Sequence, residues 1–281
     1  MGSCRDFLIL TKPRVVLMVV ITAATGFHLG SGASFDWLRL GITLAGVALA
    51  AAGTATMNQY IERDVDAMME RTRHRPLPVG RVRPGAALWF GTGLIAAGLL
   101  LLLPVGIVPF AVTAATVGLY LLVYTPMKRR SPACLLVGGV PGALPVLAGW
   151  VAARGEFGTG AWVLFGILFL WQIPHTLAIA RLYQEDYLRG GIRLPPAANA
   201  SMAEAQSVTG AFLLLAVSLL PLPLGLAGPF YAAGALALGG AYLAAGAAQA
   251  LSPSRVAARR TVLVSLVYLP ALLGLLSLDK V

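Results

Sequence analysis

The chain has 281 residues, of which 58% are hydrophobic and only 11% charged, with a formal net charge of +10. A water-soluble domain of this length needs far more polar surface, and no long polar stretch is left over for a second unit, so residues 1–281 are read as one polytopic membrane domain. The basic excess is scattered through short connections, which argues against nucleic acid and for membrane topology and an anionic substrate. Cys4 and Cys134 lie far apart and form no CxxC, so neither a disulfide framework nor a thiolate zinc site is suggested.

Arg5, Lys12 and Arg14 precede the first apolar run in the manner of a signal peptide. No cleavage site follows, and the next segment is again membrane-like, so the run is kept as the first helix. The opening residues begin like a myristoylation signal, but Asp6 stands where Ser or Thr is needed. Apolar runs of spanning length fall at about 15–34, 38–61, 86–104, 106–125, 133–153, 160–181, 207–226, 229–250 and 260–278. The expected fold is therefore all-α, a bundle of nine transmembrane helices. The Lys and Arg residues test that count. With the N-terminus in the cytoplasm, only Arg39, Arg154 and Lys280 of the 21 fall outside, as the positive-inside rule requires.

The second run ends in Asn58-Gln59-Tyr60-Ile61-Glu62-Arg63-Asp64-Val65-Asp66, the densest block of charge in the chain. At about 100° per residue, Asn58, Glu62 and Asp66 share one helical face, whereas Asp64 points away. An amide oxygen and two carboxylates in a row suit Mg²⁺, which keeps several waters and shares substrate phosphates. Arg63, Arg71 and Arg75, on or just after this stretch, match phosphate oxygens. The rival reading, solvated charges at a helix end, fits the basic residues as well. It fits the spaced acidic row less well, because acidic groups at membrane depth are costly and tend to be functional.

Two more inside connections carry comparable chemistry. Tyr124-Thr125-Pro126-Met127-Lys128-Arg129 follows the fourth run, and Arg181-Leu182-Tyr183-Gln184-Glu185-Asp186-Tyr187 follows the sixth. Acidic clusters thus end the second and sixth helices and a basic cluster ends the fourth, all on one membrane face. They can converge over one cavity, where carboxylates facing a diphosphate would hold metal ions and Lys or Arg would neutralise the leaving group.

These residues resemble the intramembrane UbiA-type prenyltransferases. Asn58 to Pro78 is similar to the first aspartate-rich motif of that family, with Glu62 where the family usually has Asp. Arg71-Thr72-Arg73-His74-Arg75-Pro76-Leu77-Pro78, Trp171-Gln172-Ile173-Pro174-His175, Asp186-Tyr187 and Gly138-Gly139-Val140-Pro141-Gly142-Ala143 resemble its protohaem IX farnesyltransferase (haem O synthase) branch. Ile192-Arg193-Leu194-Pro195-Pro196 departs from the branch pattern. The resemblance implies Mg²⁺-dependent transfer of farnesyl from farnesyl diphosphate to a vinyl group of haem B. It assigns Mg²⁺ to Asn58, Glu62, Asp66 and Asp186, and the diphosphate to Arg63, Arg71, Arg75, Lys128 and Arg129, with Tyr124 orienting the same group. His175 is either a structural histidine or a contact to the porphyrin or its iron. His74 is set to meet an anion or face water, and His28 is structural.

A UbiA-type enzyme prenylating an aromatic or quinone precursor would share the diphosphate machinery. A transporter is the reading from a different class, disfavoured because the acidic clusters sit at span ends and not near mid-membrane. No mitochondrial-type extension precedes the first helix, so a bacterial cytoplasmic membrane is the expected location, with a downstream haem-modifying enzyme or oxidase assembly factor as a further partner.

Overall fold

A computed structural model of the chain describes residues 2–32, 34–193 and 200–281. Among the described residues the helices are α1 (Cys4–Leu10), α2 (Pro13–Gly30), α3 (Trp37–Met68), α4 (Pro84–Leu102), α5 (Ile107–Met127), α6 (Cys134–Arg154), α7 (Thr159–Leu182), α8 (Gln184–Arg189), α9 (Ala200–Leu219), α10 (Pro229–Leu251) and α11 (Arg255–Leu278). Nine of them are long and apolar enough to cross a membrane. Extended pairing among the described residues is limited to one antiparallel bridge between Ala227 and Lys280. The all-α expectation therefore holds, and the short α1 and α8 are additions to it.

Local chemistry sets most of the helix ends. Pro13, Pro84 and Pro229 stand in the first turns of α2, α4 and α10, where a missing N–H costs nothing. The Asp36 carboxylate accepts from Arg39 N at the start of α3, and the Ser254 hydroxyl oxygen from Ala257 N at the start of α11. That cap starts α11 several residues ahead of the expected position. The seventh span is shifted as well, to Ala200–Leu219 from an expected 207–226. Pro221 and Pro223, followed by Gly225 at φ 65°, stop the helix. The departure expected at 194–196 lies outside the described residues.

Small residues let the helices touch. α2 packs against α6 and α3 against α4. A Cβ on Gly149 would overlap the Ala23 carbonyl, and one on Gly98 would fall 2.5 Å from the Gly46 carbonyl oxygen. Such close backbone approach is how helices gain contact in lipid, where apolar burial between them gives no driving force. Between α7, α9, α10 and α11, three buried tyrosines find partners: Tyr231 Oη donates to Ser218 O, Tyr268 Oη bonds Ser218 Oγ, and Tyr242 Oη donates to Trp171 O.

Two features aim residues at one end of the bundle. α3 runs unbroken for 32 residues, roughly 48 Å at 1.5 Å per residue, so its last turns outreach a hydrocarbon layer of about 30 Å. α5 widens into a π-helical turn over Leu119–Tyr124 just before Pro126, whose ring would crowd a tighter turn. The widening delivers Tyr124, Thr125 and Lys128 to the end of α3.

Candidate functional site

Asn58, Glu62 and Asp66 lie on one face of α3, and each is met by a different cation. Lys12 Nζ donates to Asn58 Oδ1 at 3.3 Å. Lys128 Nζ bridges both oxygens of Glu62 at 2.7 and 2.9 Å. Arg75 Nη1 donates to Asp66 Oδ2 at 2.6 Å. The row is also linked internally, since Asn58 Nδ2 donates to Glu62 Oε2 at 2.9 Å and to Thr125 Oγ1 at 3.2 Å. Asn58 and Asp66 are 2% and 1% exposed, whereas the Asp64 side chain is 86% exposed and points away as expected.

The second acidic cluster faces the first across the loop after α3. Asp186 on α8 accepts from the Glu70 and Arg71 backbone N–H groups, one on each carboxylate oxygen, both at 3.0 Å. Each oxygen keeps a further lone pair. The Arg71 guanidinium lies 5.1 Å from the Tyr183 ring and 5.9 Å from the Tyr187 ring. Arg193 N donates to the Lys128 carbonyl at 2.8 Å, tying the connection after α8 to the end of α5. All three chemically loaded connections therefore converge.

Not every expected residue joins them. Arg63 is held by its own turn, donating to Tyr60 O and lying over the Tyr60 ring, with Asp64 at 3.8 Å. Arg129 is exposed beside Gly191, and His74 is exposed with Arg73 Nε at 3.4 Å. Tyr124 does join, its ring 4.7 Å from Lys128 Nζ. Burial alone would depress the Lys128 ammonium; the Tyr124 hydroxyl and the Glu62 carboxylate outweigh it and hold its pKa above the ordinary value.

Lys12 is the residue that sequence reasoning misses, because it counts only as one inside charge among many. α1 carries it inward. The Ser3 and Asp6 side chains form a capping box at the start of α1, and Asp6 also accepts from Arg81 Nε at 2.8 Å. Gln59 Nε2 donates to Leu10 O at 2.7 Å, and the Phe7 and Phe90 rings meet at 5.0 Å. Lys12 then turns the chain into Pro13 with φ 50°, the sole positive φ outside glycine among the described residues. Burial, with Arg75 and Lys128 close by, pulls its ammonium down to about 7. Thr125 is a second omission, and no local spacing signals it.

His175 sits apart, within α7. Its Nδ1 lies 2.6 Å from Ser265 Oγ, and its ring stacks on Trp171 at 4.6 Å. The Ser265 hydroxyl already donates to Val262 O at 2.6 Å, so the hydrogen-bond pattern assigns the proton to Nδ1 and leaves the lone pair on Nε2. His28 Nε2 lies 3.3 Å from Ser277 O, the structural placement expected of it.

The arrangement pairs largely buried acidic oxygens with lysine and arginine cations at one end of an apolar bundle. The chain is similar to known proteins in sequence and in fold. Residues 19–269 match the UbiA prenyltransferase family. A protein named protoheme IX farnesyltransferase from Solibacter usitatus is 41% identical, over 98% of this chain and 99% of its own length. One of the same name from Myxococcus xanthus is 40% identical, over 98% and 95%. Among solved structures, a digeranylgeranylglyceryl phosphate synthase superposes with a TM-score of 0.83 at 18% identity, covering 98% of this chain and 97% of that one. A UbiA homolog from Archaeoglobus fulgidus bound to GPP and Mg²⁺ superposes with a TM-score of 0.71 at 15% identity, over 97% and 99%.

Proposed function

Because the chain belongs to the UbiA prenyltransferase family, we propose that this membrane-embedded prenyltransferase moves farnesyl from farnesyl diphosphate to a vinyl group of haem B, giving haem O. The observation that carries the acceptor is near-full-length identity of about 40% to proteins named for that reaction. The whole chain acts as one domain in a bacterial inner membrane, and haem O passes to a downstream haem-modifying enzyme or oxidase.

The residues fit a bound Mg²⁺. Asn58, Glu62 and Asp66 offer hard oxygens on one face, and the bonded side-chain cations stand where positive charge is wanted. Among the described residues no three His, Cys, Asp or Glu side chains gather to hold a metal by themselves. An ion held there would be completed by water and diphosphate oxygens, with Asp186 on α8 as a further candidate ligand. The homolog bound to GPP and Mg²⁺ supports the same pairing. When bound, Mg²⁺ supplies neutralisation of the charge that builds on the diphosphate as the allylic C–O bond breaks.

The chain's own groups supply the remainder. Lys128, Arg75 and Arg71 donate to diphosphate oxygens, with Arg129 and Arg63 at the rim. Tyr124 holds Lys128 in line. The apolar interior takes the isoprenoid tail and keeps water from the allylic carbon. His175, with its Nε2 lone pair free, meets the haem iron.

The test is mass spectrometry of haem after purified enzyme is given haem B, farnesyl diphosphate and Mg²⁺. A farnesylated haem is expected. Prenylation of 4-hydroxybenzoate or a naphthoate with haem untouched would remove the acceptor and leave the prenyltransferase.

A further inference from the structure

Three cations contact the acidic row, and their situations differ. Arg75 and Lys128 have carboxylates at 2.6 and 2.7 Å, so each charge is compensated. Lys12 has only the neutral Asn58 amide oxygen, at 3.3 Å, long for a charge-assisted bond. Among the described residues no carboxylate lies within ion-pair distance of it. A partly buried ammonium without an anion is costly, and a fold holds one there only where something compensates it.

The chain nevertheless goes to some length to keep Lys12 in place. α1 is clamped by Asp6–Arg81, by Gln59 on Leu10 O, and by Phe7 against Phe90. Lys12 itself takes the left-handed backbone that side chains other than glycine avoid. A lysine needed only for membrane orientation needs none of this, as exposed Arg5 and Arg14 illustrate. An anion brought by the substrate would compensate that charge.

We propose that Lys12, positioned by the α1 clamp, is a diphosphate-binding residue that leaves Asn58 for a diphosphate oxygen when substrate enters. The inference rests on the prenyl-diphosphate reading of the site. It makes α1 part of the active site and places a cation at the Asn58 end of the row, opposite the Arg75 end. Asn58 Oδ1, once released, becomes free for the metal.

Titration calorimetry tests this, using purified full-length protein with Mg²⁺ and either farnesyl diphosphate or inorganic pyrophosphate. Lys12→Gly removes the charge and also relieves the backbone, so the fold should melt at nearly the wild-type temperature. Both ligands should bind about tenfold or more weakly, as expected for loss of one hydrogen bond to a charged group. Lys12→Arg should restore most of the affinity for both. Wild-type affinity in Lys12→Gly overturns the inference and leaves the prenyltransferase reading standing. So does a fall in melting temperature with unchanged affinity, since Lys12 would then be structural. Failure of the wild-type protein to bind either ligand would sink the diphosphate reading and the inference with it.

Discussion

Asp66 pairs with Arg75, and in the proposed site it would also offer an oxygen to Mg²⁺, two roles that a single substitution can separate. Asp66→Asn keeps the shape and a hydrogen-bond acceptor for Arg75, so the protein should still reach the membrane folded. Prenyl transfer should fall at least about a hundredfold, because a charged ligand at the developing negative charge is lost. Normal turnover in saturating Mg²⁺ would show that the carboxylate is no ligand. Glu62→Asp should retain most activity, since the charge that Lys128 neutralises survives one methylene shorter. His175 is judged by binding. His175→Ala should weaken haem B, read by the shift of its absorption band, more than it weakens farnesyl diphosphate; equal effects would mean that the imidazole serves the fold through Ser265 and Trp171. These residues were legible because their spacing and type survive translation into a helix. Lys12 was not, because what marks it is a backbone angle and a missing anion, and neither leaves a trace in local sequence.

At the scale of single elements, α1 is the part that hydropathy overlooks. At seven residues it is too short to span a membrane, and its role depends on long-range contacts with Arg81 and Gln59. Arg81 and Ser3, hydrogen-bonded to Asp6, hold its carboxyl below the ordinary carboxylate range. A depressed folded-state pKa contributes stability that is fully present above about 3.9, the unfolded value, and disappears as pH falls through the lower folded one. Protection of the residue 4–12 amides, taken relative to the intrinsic exchange rate at each pH, should therefore fall on acidification through that window while α6 and α7 stay protected. In Asp6→Asn the pH dependence of that local protection should vanish; its persistence would place the titrating group elsewhere. The π-helical turn in α5 was equally hidden. The widened turn precedes Pro126 and leaves Thr125 within reach of Asn58, and nothing in the spacing of the motif marks it.

At the scale of the whole molecule, the charge pattern and the geometry impose the same constraint from different directions. Nine spans were readable because a bilayer demands long apolar runs and the basic residues record which ends stay inside. The most displaced span, α9, shows the limit of that reading: apolar Leu220 to Leu226 looks like membrane helix until its prolines are weighed. The geometry adds that Lys12, Asn58, Lys128 and Asp186, from four separate connections or helix ends, gather at one end of the bundle. A site so built works only if those ends share a membrane face, because a diphosphate cannot cross the apolar core to reach a carboxylate on the other side. A reporter fused after Arg81 should accordingly read as cytoplasmic and one fused after Gly155 as external. Gly155 closes α6 at the opposite end from Cys134, where the connection from Lys128 enters. Both reporters on one side would require one of α4, α5 and α6 not to cross. Asp186, one crossing beyond Gly155, would then lie across the membrane from the Glu70 and Arg71 amides that it accepts from, and the convergence on which the catalytic reading depends would be lost.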